Sequence, residues 1–175
     1  MRMKNKYLIA ILLISYSLNT NGQTNCPFKI DTNRILKNIN LDEFLVSLKS
    51  DSFSVNFSKK DIPDFIEKQL ICLNNDIAFA NPGERYQATD IRIDKLPSRQ
   101  LIFLAKSQDL CIIKYYKGGI IRSTLILMIK FSGNDIVDIW TGLSSNDSKT
   151  IKELIADLEK SRNPPFRQHS NFIYF

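Results

Sequence analysis

The residues that most often carry out acid–base, nucleophilic or metal chemistry are sparse in this chain. Histidine occurs once, at His169, in a polar stretch after the last predicted helix. A nucleophilic cysteine needs a base within hydrogen-bond reach, which Cys72 or Cys111 could find only at His169. A solvent-exposed tail histidine is the simpler interpretation. The chain has no His-x-x-x-His and no Cys/His pair at ligand spacing, so we expect no catalytic residue of these types, no metal and no cofactor.

Carboxylates offer a second route to chemistry. Glu84, Asp90 and Asp94 surround the first predicted strand of the second half of the chain, and Asp90 and Asp94 fall on one side of it. Paired acids catalyse when their surroundings separate their pKa values, so a small hydrolase or isomerase with an acidic pocket is the alternative function. Hydrated acids at strand edges are the simpler interpretation. The segment KGGIIRST lacks the phosphate-loop spacing and reads as a hairpin.

Three cysteines, Cys26, Cys72 and Cys111, lie in the predicted mature chain. Outside the cytoplasm a disulfide can persist, and an odd number leaves one thiol over. Spacing does not choose among the three pairings. We favour Cys26–Cys72, because it would tether a loose N-terminus to a helix. The alternative is that all three are small buried apolar residues.

The N-terminus has the three parts of a secretory signal. Arg2, Lys4 and Lys6 precede an apolar run of about a dozen residues, and small residues follow it. That run is short for a membrane-spanning helix, which needs about 20 residues. We predict a signal peptide over residues 1–22, cleaved after Gly22, and one α+β domain over residues 23–175, secreted or periplasmic. An uncleaved anchor, a buried first helix and a lipoprotein acylated at Cys26 are the alternatives.

Charge and composition exclude several classes of partner. The net charge of +6 falls to about +3 when the three signal charges are removed. A protein that binds nucleic acid or an anionic membrane would be expected to show a clustered basic stripe. This chain has no block of five or more Lys or Arg residues. We expect no nucleic-acid partner, and no membrane partner after signal cleavage. The hydrophobic fraction of 43% excludes a disordered chain.

Two patterns predict the secondary structure. Helices are expected after Asn40, with Glu43 completing a capping box, after Asp61, and over residues 147–162. Between the first two helices, the alternation of Phe53, Val55 and Phe57 predicts a short strand or an extended connector. From Arg85 onward, runs of β-branched and aromatic residues indicate strands. Short turns that contain Gly, Asn or Asp connect the last four of these strands into an antiparallel meander. The expected strands cover about residues 85–93, 100–107, 110–117, 120–131 and 135–141.

A two-residue turn at Gly118–Gly119 would set the register of the central hairpin. Tyr115 would then lie opposite Arg122 and close to Lys117 on a mixed, partly open face of the sheet. Ile112, Leu125 and Leu127 would lie on the apolar face. Aromatic and arginine side chains are common at binding hot spots. Tyr115, Arg122 and Lys117 are therefore the candidate binding residues.

The fold class expected is α+β, with N-terminal helices packed on one face of an antiparallel β-meander and a C-terminal helix. At the level of topology only, this order resembles cystatin-like and nuclear-transport-factor-like folds. These folds host both enzymes and binding proteins, so the resemblance implies no activity. The leading functional hypothesis is an exported binding module for a protein partner or a small ligand, of the inhibitor or immunity type.

Overall fold

The computed structural model describes residues 26–74, 77–91, 93–144 and 146–160. The predicted signal peptide, its cleavage site and His169 lie outside the described residues. Within these ranges, no helix has the length and apolar character needed to cross a lipid bilayer.

Four α-helices occur in the described part of the chain. They are α1 (Thr32–Leu36), α2 (Leu41–Ser50), α3 (Asp64–Leu73) and α4 (Ile151–Lys160), and a 3-10 turn, Lys59–Asp61, precedes α3. Asn40 stands at the start of α2 but makes no capping hydrogen bond with its side chain. Its Nδ2 instead donates to the carbonyl oxygen of Ile139 at 2.9 Å. The predicted capping box with Glu43 is therefore wrong, because a tertiary contact takes the side chain.

Six strands in the described part of the chain form one sheet, and the predicted four-strand meander is present as β3–β6. The strands are β1 (Ser54–Asn56), β2 (Phe79–Ala80), β3 (Arg99–Lys106), β4 (Leu110–Lys117), β5 (Ser123–Ser132) and β6 (Asp135–Leu143). The order is β1-β3-β4-β5-β6 with antiparallel neighbours, and the two-residue β2 pairs parallel to the start of β3. The α+β class is confirmed. The strand predicted over residues 85–93 is wrong, because the described part of that segment is irregular.

Helices cover both faces of the sheet, which corrects the expected arrangement of all N-terminal helices on one face. On the first face, Ile66 and Leu70 of α3 pack over Ile113, Tyr115, Leu125 and Leu127. On the second face, α2 and α4 bring Phe44, Leu48, Leu154 and Leu158 against Ile112, Ile126, Met128 and Trp140. We call these the α3 face and the α2/α4 face. Because alternate residues of a strand point to opposite faces, a doubly covered sheet needs the nearly continuous apolar runs seen in β3–β5.

The central hairpin has a different register from the predicted one. Tyr115 pairs with Leu125, and Lys117 pairs with Ser123, so residues 118–122 form a five-residue loop. The pairing is displaced by an odd number of residues, which moves every β5 side chain to the other face relative to β4. Leu125 and Leu127 consequently share a face with Ile113 rather than with Ile112.

Gly118 explains why the turn is not the tight one. Its N–H donates to the carbonyl oxygen of Ser98 at 3.1 Å, and a Cβ built on it would lie 1.6 Å from the carbonyl oxygen of Gln87. The glycine thus permits close contact with the segment after β2 rather than a two-residue turn.

The disulfide Cys26–Cys72 is present, with the two Cα atoms 5.7 Å apart, and Cys111 is a free, buried thiol. The preferred pairing is confirmed. The bridge joins the first described residue to α3, as the tether argument required. Burial raises the pKa of the Cys111 thiol to about 12, so this thiol has little nucleophilic character near neutral pH.

Candidate functional site

One row of side chains on β4 leads from the core to a polar site. Leu110 and Ile112 belong to the apolar cluster of the α2/α4 face. The next residues in the same row are Lys114 and Tyr116, and they lie where the strand approaches the connection between β6 and α4. The row therefore changes from apolar to polar below the beginning of α4.

Lys114 is fully buried on this central strand. Its Nζ donates hydrogen bonds to Asn146 Oδ1 at 3.2 Å and to Ser148 Oγ. Burial lowers the pKa of the amine by removing it from water, and the carboxylates of Asp157, Asp147 and Glu153 oppose that shift. A buried amine is stable only if such partners replace its hydration, and Asn146 and Ser148 supply that replacement here.

The connection between β6 and α4 supplies the partners in a compact, hydrogen-bonded arrangement. Asn146 Oδ1 also accepts from the backbone N–H of Ser148 at 3.0 Å. Ser144 Oγ donates to Asp157 Oδ2 at 2.6 Å. Asp157 is nearly fully buried, although the helical pattern places it on the polar side of α4. One turn of α4 thus contributes a carboxylate to the interior, close to the buried amine.

These groups border an open cleft of about 480 Å³. It is lined by Asn146, Asp147, Ser148, Lys149, Thr150 and Glu153. Glu153 Oε2 accepts from the backbone N–H of Lys149 at 3.1 Å, and this bond, followed by that from Thr150, lowers the pKa of the Glu153 carboxyl. The cleft therefore presents a hydroxyl backed by an amine, and a carboxylate that is ionised at neutral pH.

An aromatic–arginine pair stands beside the cleft. The guanidinium carbon of Arg122 lies 4.5 Å from the centroid of the Tyr116 ring, a cation–π distance. Burial raises the pKa of Tyr116, and its hydrogen bond to Asp147 acts in the same direction. Thr124, which pairs with Tyr116 across the hairpin, donates to Asp147 Oδ1 at 3.2 Å. The pair is thus connected to the cleft through Asp147.

Tyr115, the predicted binding residue, is on the opposite face and fully buried. Its ring packs edge-on against Phe79, with centroids 5.3 Å apart. Burial raises the pKa of its hydroxyl, against the effect of Arg99 beside it. The predictions of an exposed Tyr115 and of its pairing with Arg122 are wrong, because the five-residue loop shifts the register. Arg122 is exposed and Lys117 is half-buried, and their role in binding stays a prediction.

The same end of the sheet carries an unusual apolar surface. Ile120 and Ile121 of the hairpin loop are 90% and 79% exposed, and Ile91 is 73% exposed. Gln87 connects their two loops: its side chain binds the backbone of Ile91 and Ile93, while its carbonyl lies against Gly118. We call Ile91, Ile93, Ile120 and Ile121 the isoleucine tip.

The predicted acidic residues Glu84, Asp90 and Asp94 are exposed on the surface of the protein. Hydrogen bonds from Asn81, its backbone N–H first, lower the pKa of Glu84, whereas a general acid at neutral pH needs a raised one. The surface position and the lowered pKa therefore give no support to an acid–base role for this group.

A second cleft, of about 380 Å³, contains Arg34 between Glu43 and Asp138. The guanidinium lies 3.6 Å from a carboxylate oxygen of each of these two residues. The charge of Arg34 is thus paired within the protein.

Sequence reasoning missed Lys114, Asn146, Ser148 and Asp157. A signal for Lys114 was available, because one lysine interrupts the apolar run LCIIKYY of a central strand. Among the described residues, no group of three or more His, Cys, Asp or Glu side chains could hold a metal ion.

The chain matches no family of proteins, no curated protein and no solved structure.

Proposed function

We propose that this chain is an exported binding module for a protein partner, and that the partner docks on the isoleucine tip and the Arg122–Tyr116 pair. The observation that carries the proposal is the exposure of four isoleucines on two loops that contact each other. Isoleucine is among the residues most often buried. Apolar side chains exposed on neighbouring loops, rather than scattered singly over the surface, mark interaction sites.

The position of this surface outside the two clefts described above favours a protein over a small ligand. None of the four isoleucines lines the cleft beside α4 or the cleft around Arg34, whereas small-molecule sites are concave. The charges beside Ile120 and Ile121 on the hairpin loop, Lys117 and Arg122, are basic, and Arg122 is already oriented by the Tyr116 ring. On the other loop, the exposed acids Asp90 and Asp94 flank Ile91 and Ile93. The complementary partner surface is therefore an apolar depression with a carboxylate where it meets the hairpin loop.

Export is supported by the charged, apolar and small-residue segments of the N-terminus and by the Cys26–Cys72 disulfide, which is typical of oxidising compartments. Sequencing the N-terminus of the protein recovered outside the cytoplasm tests this part. The expected new terminus is Gln23. Recovery of a chain that still contains residues 7–18 would contradict it.

Site-specific photo-crosslinking in the cell that exports the protein tests the docking surface. A photoreactive amino acid placed at Ile91 should give one discrete protein adduct. The same group at Val46, which is 67% exposed on α2, should give none. The double substitution Ile120→Asp/Ile121→Asp should abolish the Ile91 adduct, whereas Val46→Asp should leave it unchanged. An adduct that survives the double substitution in a folded protein would contradict the proposed surface.

A further inference from the structure

The cleft beside α4 contains a pairing of two side chains that the binding proposal does not use. Lys114 Nζ donates to Ser148 Oγ, and Ser148 lines the open cleft while Lys114 is fully buried beneath it. The amine therefore contacts the lining of the cleft through the Ser148 hydroxyl and through Asn146. Asn146 fixes this geometry, because its Oδ1 accepts both from Nζ and from the backbone N–H of Ser148.

A hydroxyl in contact with a nitrogen base is the minimum arrangement for a serine nucleophile, and serine–lysine pairs are a known variant of this chemistry. We propose that Ser148 is a nucleophile for acyl transfer from carboxylic esters, with Lys114 as its general base. The inference does not rest on the proposed function. It assigns an activity to the cleft, whereas the docking surface is the isoleucine tip.

The reaction begins with the neutral amine, which donates one hydrogen bond to Asn146 and accepts the Ser148 hydroxyl proton at its lone pair. Oγ attacks the ester carbonyl carbon, the Oγ–C bond forms, and the hydroxyl proton moves to Nζ. The tetrahedral intermediate then collapses as the bond to the leaving alkoxide breaks, and the ammonium returns its proton to that oxygen. Water, deprotonated by the same amine, then attacks the acyl carbonyl carbon. The Oγ–C bond breaks, the ammonium returns its proton to Oγ, and the carboxylic acid leaves with Ser148 restored.

The surrounding charges suit both stages of this cycle. Burial favours the neutral amine needed for the first step, and the carboxylates of Asp157, Asp147 and Glu153 favour the ammonium formed during it. The cleft also opens at the N-terminal turn of α4, since Thr150 and Glu153 both line it. That end of a helix carries partial positive charge, which favours an oxyanion that develops there, whereas the Glu153 carboxylate on the same turn opposes it.

Labelling of the intact protein with an alkyl fluorophosphonate tests the proposal. Attack by Oγ on phosphorus expels fluoride, and peptide mass spectrometry identifies the modified residue. We expect one adduct, at Ser148, absent in Ser148→Ala and unchanged in Ser50→Ala, which removes an exposed hydroxyl at the end of α2. Lys114→Met, which keeps the chain length but removes the base, should slow labelling about 100-fold, the lower range of a general base's contribution.

The pH profile of the wild-type rate provides a second readout, which is needed if Lys114→Met does not fold. The rate should rise as Lys114 loses its proton. A folded wild-type protein in which Ser148 stays unlabelled would overturn the proposal. So would equal labelling rates in a folded Lys114→Met variant, or a wild-type rate that is independent of pH up to the ordinary lysine pKa of 10.5. None of these outcomes affects the crosslinking result at Ile91.

Discussion

Arg122 lies over the ring of Tyr116, 4.5 Å from its centroid, while the neighbouring Tyr115 points into the core on the opposite face of the sheet. Two adjacent tyrosines therefore have different roles. Tyr116 holds an exposed cation beside the cleft, and Tyr115 fills the space between β4, Phe79 and α3.

This difference predicts contrasting effects of two alanine substitutions. Tyr115→Ala should lower the free energy of unfolding by about 3–5 kcal/mol, the usual cost of removing a buried aromatic side chain. Arg122→Ala should lower it by no more than about 1 kcal/mol, because this side chain is exposed and an exposed cation–π contact contributes about 0.5–1 kcal/mol. Denaturant melts of both variants measure the effects. A loss below about 1 kcal/mol for Tyr115→Ala would mean that Tyr115 does not face the core and that its pairing with Leu125 is wrong.

The pattern of apolar runs was sufficient for the strands but not for their faces. Runs such as LCIIKYYK and LILMIKF place β4 and β5 correctly, because a doubly covered strand needs apolar residues at nearly every position. For the same reason the run does not show whether the odd-numbered or the even-numbered residues of a strand face α3. The length of the loop between β4 and β5 decides which β5 residues share a face with which β4 residues. That length depends on a contact of Gly118 with Gln87, about 30 residues away in the sequence.

The candidate site was less predictable than the fold. Its parts come from β4, the β6–α4 connection and α4, so no local spacing joins Lys114 to Ser148 or Asp157. Periodicity even places Asp157 with the exposed acids of α4, whereas the structure buries it. The sequence predicts Arg122 as half of an aromatic–arginine pair, but it gives Tyr115 as the partner in place of the adjacent Tyr116. This moves the predicted surface to the wrong face of the sheet.

Gly118→Ala should destabilise the protein although its neighbour Ile120 is almost fully exposed. A methyl group at position 118 would collide with the backbone of Gln87 and Ala88, and relieving such overpacking costs about 1–3 kcal/mol. The loop after β2 should also exchange its amide hydrogens faster. Ile120→Ala is the control and should change stability by no more than about 0.5 kcal/mol. Equal stability of the two variants would show that Gly118 has no packing role.

Removing the disulfide should strongly lower the free energy of unfolding, and the third thiol, Cys111, should react slowly with thiol reagents. Cys26→Ser/Cys72→Ser should cost about 2–5 kcal/mol, because the bridge no longer restricts the unfolded chain. Cys111 should react with a thiol reagent only after denaturation, since it is buried and its pKa is about 12. Denaturant melts and timed alkylation with mass analysis measure the two effects. Rapid alkylation of Cys111 in the folded protein would contradict its position in the core.

Leu125→Ala and Leu127→Ala should each cost about 2–5 kcal/mol, the range for a buried leucine. Both residues pack beneath α3, so their loss should act through that helix. Hydrogen exchange should consequently increase in Asp64–Leu73 more than in Ile151–Lys160, which covers the other face. The reverse order of exchange would contradict the assignment of the two faces.

The buried Lys114 amine should make the free energy of unfolding depend on pH, and Lys114→Met should remove this contribution. The unfolded chain holds the Lys114 proton with the ordinary pKa of 10.5, and the folded chain holds it less tightly. Between the lowered pKa and 10.5 the unfolded state therefore binds more protons, so the free energy of unfolding rises with pH in that window. The wild-type protein should gain stability from Lys114 as the pH increases toward 10.5, whereas Lys114→Met should lack this gain.

Denaturant melts in a Cys111→Ala background measure this effect without interference from the buried thiol. Cys111 acts in the opposite direction, because its pKa rises from 9.0 to about 12 on folding and stability is lost across that interval. The buried Tyr115 opposes the gain above its ordinary pKa of 10.0 for the same reason, so the comparison is made below that pH. Lys152→Met, on the exposed side of α4, is the matched control and should keep the wild-type slope. If Lys114→Met shows the same slope as the control, Lys114 keeps its proton equally well in the folded and unfolded chains, and the amine is not the base that Ser148 requires.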